Sequence, residues 1–174
     1  MKKALFILLF LSSCAPKIIP LKSTYDVKPF ELTTPSDFET VWGKIIEMFA
    51  KKGIGVKIID KSSGFIVAQN TSAPITTENK YGKLVDSTAW AVTPKLYDPG
   101  TRKYYYAKEG TIEWNIYIKR NTDNTTTINI NLIDISTVTS VYSLGNIVAP
   151  TAKTFKTRAL TTGVFEKQVA EQIK

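Results

Sequence analysis

Few residues in this 174-residue chain have the type and spacing that chemistry requires. There is no histidine. That removes the commonest general base, the Ser-His-Asp and Cys-His arrangements, and nearly every zinc or copper site. No glycine loop of the kind that cradles phosphate is present. The nearest catalytic candidates are Glu109 and Glu113, since a carboxylate pair can hydrolyse glycosides. Both fall on the exposed phase of a strand-like alternation, where solvated surface charge is their ordinary role. Lys108 beside Glu109 reads as a surface ion pair of little energetic weight. The expectation is therefore no catalytic residue, no metal ligand, no cofactor and no enzyme.

Two other groups remain. Arg102, Lys103, Tyr104, Tyr105 and Tyr106 place cations beside aromatic rings, a combination that binds nucleic acid through charge and stacking. A half-buried sheet edge explains them more simply, and a partner-binding surface is the functional reading, because exposed Tyr and Arg are common interface anchors. The second group is the sole cysteine, Cys14. Lys2 and Lys3 precede an apolar run from Ala4 to Leu11 that is too short to span a bilayer. Leu11-Ser12-Ser13-Cys14 then resembles the bacterial lipobox. That resemblance implies a diacylglycerol-modified Cys14 and a signal peptide over residues 1–13. The other reading is a plain secretory signal with an incidental cysteine. Two or more acyl chains anchor a protein stably. Ala15, Pro16 and Lys17 add no acidic residue, which by similarity to lipoprotein sorting implies the outer membrane, facing the periplasm. Removal of residues 1–13 leaves 21 basic against 15 acidic side chains, compatible with anionic head groups nearby. A bacterial envelope location excludes nucleic acid as partner. Asp86-Ser87-Thr88 resembles an O-glycosylation site of some Gram-negative phyla.

Several elements must position these groups. Residues 14–35, with Pro16, Pro20, Pro29 and Pro35, read as an acylated cysteine and extended tether. Phe38, Val41, Trp42, Ile45, Ile46 and Phe49 form one apolar stripe, predicting a helix over 37–52. Ser36 and Glu39 have capping-box spacing, and Gly53 is a natural stop. Val56–Ile59 and Phe65–Ala68 read as a hairpin around Asp60–Gly64. Thr71–Lys80 reads as a loop, Leu84–Val92 as a strand, and Tyr97–Gly100 as a turn. Period-two alternation predicts strands over 111–119 and 126–132, their buried faces meeting the helix stripe. Residues 137–156 read as a long apolar connection. A second helix closes the chain over 157–173, with Phe165, Val169 and Ile173 aligned, its start set back toward Thr162 by Gly163.

The block MFAKKGIGVKIIDKSSGFIVAQ, with Trp42, Ile45, Gly53, Val56, Asp60, Lys61, Gly64 and Ile66, resembles domains of the lipoprotein subunit of the outer-membrane β-barrel assembly machine. The likeness covers about residues 36–70. It implies an α+β, helix-grip-like domain over 36–174, with an antiparallel sheet of four to five strands against a long N-terminal helix and a C-terminal helix, in the order α-β-β-β-β-α. The expected function is a non-enzymatic lipoprotein, membrane-bound through Cys14, whose domain binds a protein partner in barrel assembly, secretion or conjugation. The alternative is a carrier holding lipid or a small ligand in a groove between long helix and sheet.

Overall fold

A computed structural model describes residues 15–25, 29–69, 71–143 and 151–173 of the chain. In order it contains strands β1 (Lys17–Ile19) and β2 (Phe30–Thr34), helix α1 (Phe38–Lys52), then β3 (Val56–Asp60), β4 (Phe65–Ala68), β5 (Thr71–Thr76), β6 (Ala91–Val92), β7 (Lys95–Asp98) and β8 (Lys103–Tyr105). The long strands β9 (Glu109–Arg120) and β10 (Thr126–Ser143) follow, then β11 (Thr151–Arg158), β12 (Leu160–Thr161) and helix α2 (Val164–Ile173).

The spine is the β9–β10 hairpin, in register from Arg120↔Thr126 to Gly110↔Thr137 with a bulge at Leu132/Asp134. β4 and β5 lie in succession along the outer side of β9, and β2 and β11 in succession along the outer side of β10. β3 adds to β4, while β6 adds to β5 in parallel and β12 to β6. The result is a mixed sheet of nine strands, beside a separate three-stranded antiparallel sheet, β1-β7-β8.

This overturns the expected α+β, helix-grip-like sheet of four to five strands. The protein is mostly β, and the expected order α-β-β-β-β-α is replaced by two strands before α1 and ten between the helices. The cause is local. β5 is polar and contains Pro74, β11 reads TAKTFKTR, and β6 and β12 have two residues each. Backbone pairing builds these strands without an alternation to announce them. β10 likewise runs to Ser143, through what reads as connection, and 144–150 lie outside the described residues. The stretch 14–35 is also more than tether, since β1 pairs with β7 and β2 with β10.

Both helices cover one face of the nine-stranded sheet. α1 buries Phe38, Val41, Trp42, Ile45, Met48 and Phe49 against Ile112, Trp114, Ile116 and Ile118 of β9 and Ile128 and Ile130 of β10. α2 contributes Phe165, Val169, Ala170 and Ile173 to the same core. Trp114 is the keystone, its ring 5.0 Å from Phe49 and 4.7 Å from Phe165. The N-cap is Asp37 rather than Ser36: its carboxylate accepts the Thr40 amide at 2.9 Å. Glu39, the other expected capping-box member, instead meets Lys61 at 2.6 Å. Gly53 ends α1 in the left-handed conformation, as its position implies.

Candidate interaction surfaces

Cys14 lies outside the described residues. Glu109 and Glu113 share one face of β9 four residues apart, which separates them by about 13 Å. Glu109 is exposed, and Glu113 accepts Lys57 Nζ at 2.9 Å. This is a strand's surface charge, too far apart for a shared glycosidic oxygen. Among the described residues no cluster of three acidic or cysteine side chains has a metal-binding arrangement.

The stretch Arg102–Tyr106 forms the turn and return strand of the β7–β8 hairpin. Arg102 takes a positive φ of 55° at the turn. Lys103 pairs across to Asp98 and Tyr104 to Tyr97, so successive side chains leave by opposite faces. Tyr104 is exposed, its ring 5.1 Å from Tyr97. Tyr105 is half-buried with its hydroxyl 3.2 Å from Thr101 Oγ1, and Tyr106 is half-buried after the strand. The five residues therefore do not present one surface.

The amino-terminal segment is fastened down by a residue of the polar stretch Thr71–Lys80, whose composition predicts a loop. Glu78, 5% exposed, accepts the amides of Lys22 at 2.5 Å and Ser23 at 2.9 Å and the phenol of Tyr25 at 2.8 Å. Burial alone would raise its carboxyl, but the three donors outweigh that and hold it below its ordinary value. The Tyr25 phenol is pushed up to about 12 by burial and by the same carboxylate. Lys22 Nζ and Ser23 Oγ bond the carbonyls of Lys80 and Gly82, completing the attachment.

Glu166 is a second buried acid. Thr161 Oγ1 donates to its Oε1 at 2.6 Å, while Oε2 has no partner among the described residues. Burial raises its carboxyl above the ordinary value, the Thr161 bond opposing. In the Asp86-Ser87-Thr88 triplet, the Asp86 carboxylate takes both the amide and the hydroxyl of Thr88, forming a closed Asx turn.

Among the described residues, no helix covers the nine-stranded sheet's other face. The partners of Tyr117 and Asn115 on β4 are Phe65 and Val67, and Val67 faces Ile58 on β3. Directly paired residues share a face, so Ile58, Phe65 and Tyr117 stand together away from the helices. Ile58 is 49% and Tyr117 41% exposed, and Ile133 at the β10 bulge is 48% exposed. At the edge of this face a cleft of about 560 Å³ runs between the α1 start and the β3–β4 turn, lined by Phe38, Lys61, Tyr117, Lys119 and Arg120 among others. Its lining holds three cations and one carboxylate, Glu39, which takes Lys61 at 2.6 Å and Arg120 at 4.0 Å. The signal for this surface was present in the sequence as Tyr117 on the wet phase of β9, and Ile58 and Ile59 side by side in β3. Period-two alternation assigns both to strands and carries no further information about exposure.

No protein-family model matches the chain, and no curated protein is similar to it.

Proposed function

We propose that this protein is a non-enzymatic envelope lipoprotein, anchored through Cys14, whose β-rich domain docks a protein partner on the open sheet face and adjoining cleft. The observation that carries the reading is the cluster of Ile58, Phe65 and Tyr117 on a face no helix covers. Aliphatic and aromatic side chains grouped on open sheet, rimmed by cations, are what protein interfaces use as anchors. The lipobox resemblance supplies the compartment, and a barrel-assembly, secretion or conjugation apparatus supplies the class of partner. The carrier alternative loses ground because Trp114, Phe49 and Phe165 fill the space between helices and sheet. A ligand there would have to displace them.

The test is cross-linking of the native chain in isolated envelopes, compared with an Ile58→Ser, Tyr117→Ser double variant and a Lys51→Ser control. The expected result is one discrete adduct that the double variant loses and the control keeps. An adduct that the double variant retains in full would remove this face from the reading.

A further inference from the structure

The three-stranded sheet has two unlike faces. Leu96 and Asp98 of β7 are buried, so the β7 part of the face carrying them packs on the body, while Ile18 at the β1 edge of that face is 62% exposed. The other face carries their neighbours. Lys17 pairs with Tyr97 and Tyr97 with Tyr104, while Ile19 pairs with Lys95. Alternation and pairing together put all five on one side. Tyr104 is 61% and Ile19 37% exposed, Lys17 is exposed, and the Lys95 ammonium lies 6.0 Å from the Tyr104 ring centre. Beside this face a cleft of about 290 Å³ is lined by Ile19, Leu21 and Tyr104 together with Lys22, Lys80 and Lys95, and by Glu78, whose carboxylate is taken up by the clamp.

We infer that this face lies on the surface of an anionic phospholipid bilayer. The inference rests on the reading of Cys14 as the lipid anchor. Cys14 is three residues before Lys17, a reach of at most about 10 Å, and the Glu78 clamp removes slack on the other side. Acyl chains on Cys14 would therefore bring this sheet close to the head groups. Its composition fits that position. Tyrosines with an apolar ring and a polar tip favour the membrane–water interface. Lysines reach phosphates while their stems rest on apolar surface. A lysine beside an anionic surface strengthens partitioning by about five-fold.

The experiment places the mature, acylated chain in phosphatidylethanolamine vesicles with and without phosphatidylglycerol. Lysines are labelled with a water-soluble amine-reactive ester and read by peptide mass spectrometry. Lys95 is the decisive site, since protection of Lys17 would follow from the anchor alone. Lys95 is expected to label at least about five-fold more slowly on phosphatidylglycerol vesicles than in detergent, with Lys51 on α1 unchanged. Tyr104→Ser combined with Lys17→Glu should restore the Lys95 rate while the peptide containing Cys14 keeps the added diacylglycerol mass. Equal Lys95 rates in vesicles and detergent would overturn the inference. Protection seen in whole envelopes but absent from pure lipid would also overturn it, in favour of a protein on this face. A Cys14 peptide without the diacylglycerol mass would defeat the anchor reading separately. Flotation of the unacylated chain with phosphatidylglycerol vesicles at low salt then decides: the wild type floating and Lys17→Glu/Lys95→Glu sinking supports the face, and no difference between them refutes it.

Discussion

At the scale of single residues, two buried acids pull stability in opposite directions with pH. Glu78 has a lowered carboxyl, so its contribution is present above the unfolded value near 4.5 and lost as pH falls through the folded value. Glu78→Gln should cost about 2 kcal/mol near neutral pH and speed proteolysis between Lys17 and Tyr25. Urea titration and limited digestion read the two effects. Glu166 has a raised carboxyl, so its contribution is whole below about 4.5 and lost as pH rises through the folded value. Relative to Glu166→Gln, the wild type should therefore lose stability between pH 4.5 and 7.5, measured by urea unfolding at both ends; a parallel pair of curves would contradict this. Neither residue was legible in the sequence as a buried group. Glu78 sits among Thr, Asn and Lys in a loop-like stretch, and Glu166 opens the second helix where an acid is welcome for the dipole alone. Their partners are 53 to 56 and 5 residues away, and tertiary structure alone brings the distant set together.

At the scale of elements, the parts that announce themselves are those with one uninterrupted period. α1 carries its stripe over three turns and ends at a glycine that takes positive φ, and β9 alternates from Ile112 to Ile118. Met48, outside the expected stripe, is buried because the helix face is wider than a single row. Trp114→Ala should cost about 3–5 kcal/mol, since the ring joins α1, β9 and α2. The β3–β4 turn depends on Gly64: φ is +74°, and a Cβ there would lie 2.0 Å from the Ile118 carbonyl oxygen. Gly64→Ala should cost at least about 2 kcal/mol and splay β4 from β9. Thermal or chemical denaturation tests both, with a near-neutral effect of Gly64→Ala counting against the close approach. The strands of 71–110 and β11 left no comparable trace, because their residues are placed by the neighbours they bond to rather than by a face they must bury.

At the scale of the whole molecule, β9 sets the distance between two proposed contacts. β8 leads into its Glu109 end, and the cleft lies at its Lys119–Arg120 end, about 36 Å away. A partner on the open face would thus be held off from the bilayer by the length of one strand. Moving the exposed cations of the cleft, Lys119 and Arg120, to glutamate should weaken partner capture while leaving vesicle labelling at Lys95 untouched; coupled loss of both would mean the two surfaces are not separate. The same spine governs how the chain can come to its final form. β2, at residues 30–34, completes its hydrogen bonds only with residues 126–130, and β1 waits for residues 95–97. Pairings so distant in sequence are slow to close. A chain truncated at Asn124 therefore has no partner for β2 and leaves the β10 side of β9 unpaired, and synthesis from the amino terminus does not complete the nine-stranded sheet until the last third has emerged. For a chain exported as proposed above, such a topology would leave the polypeptide pliant during its passage across a membrane and rigid only on arrival.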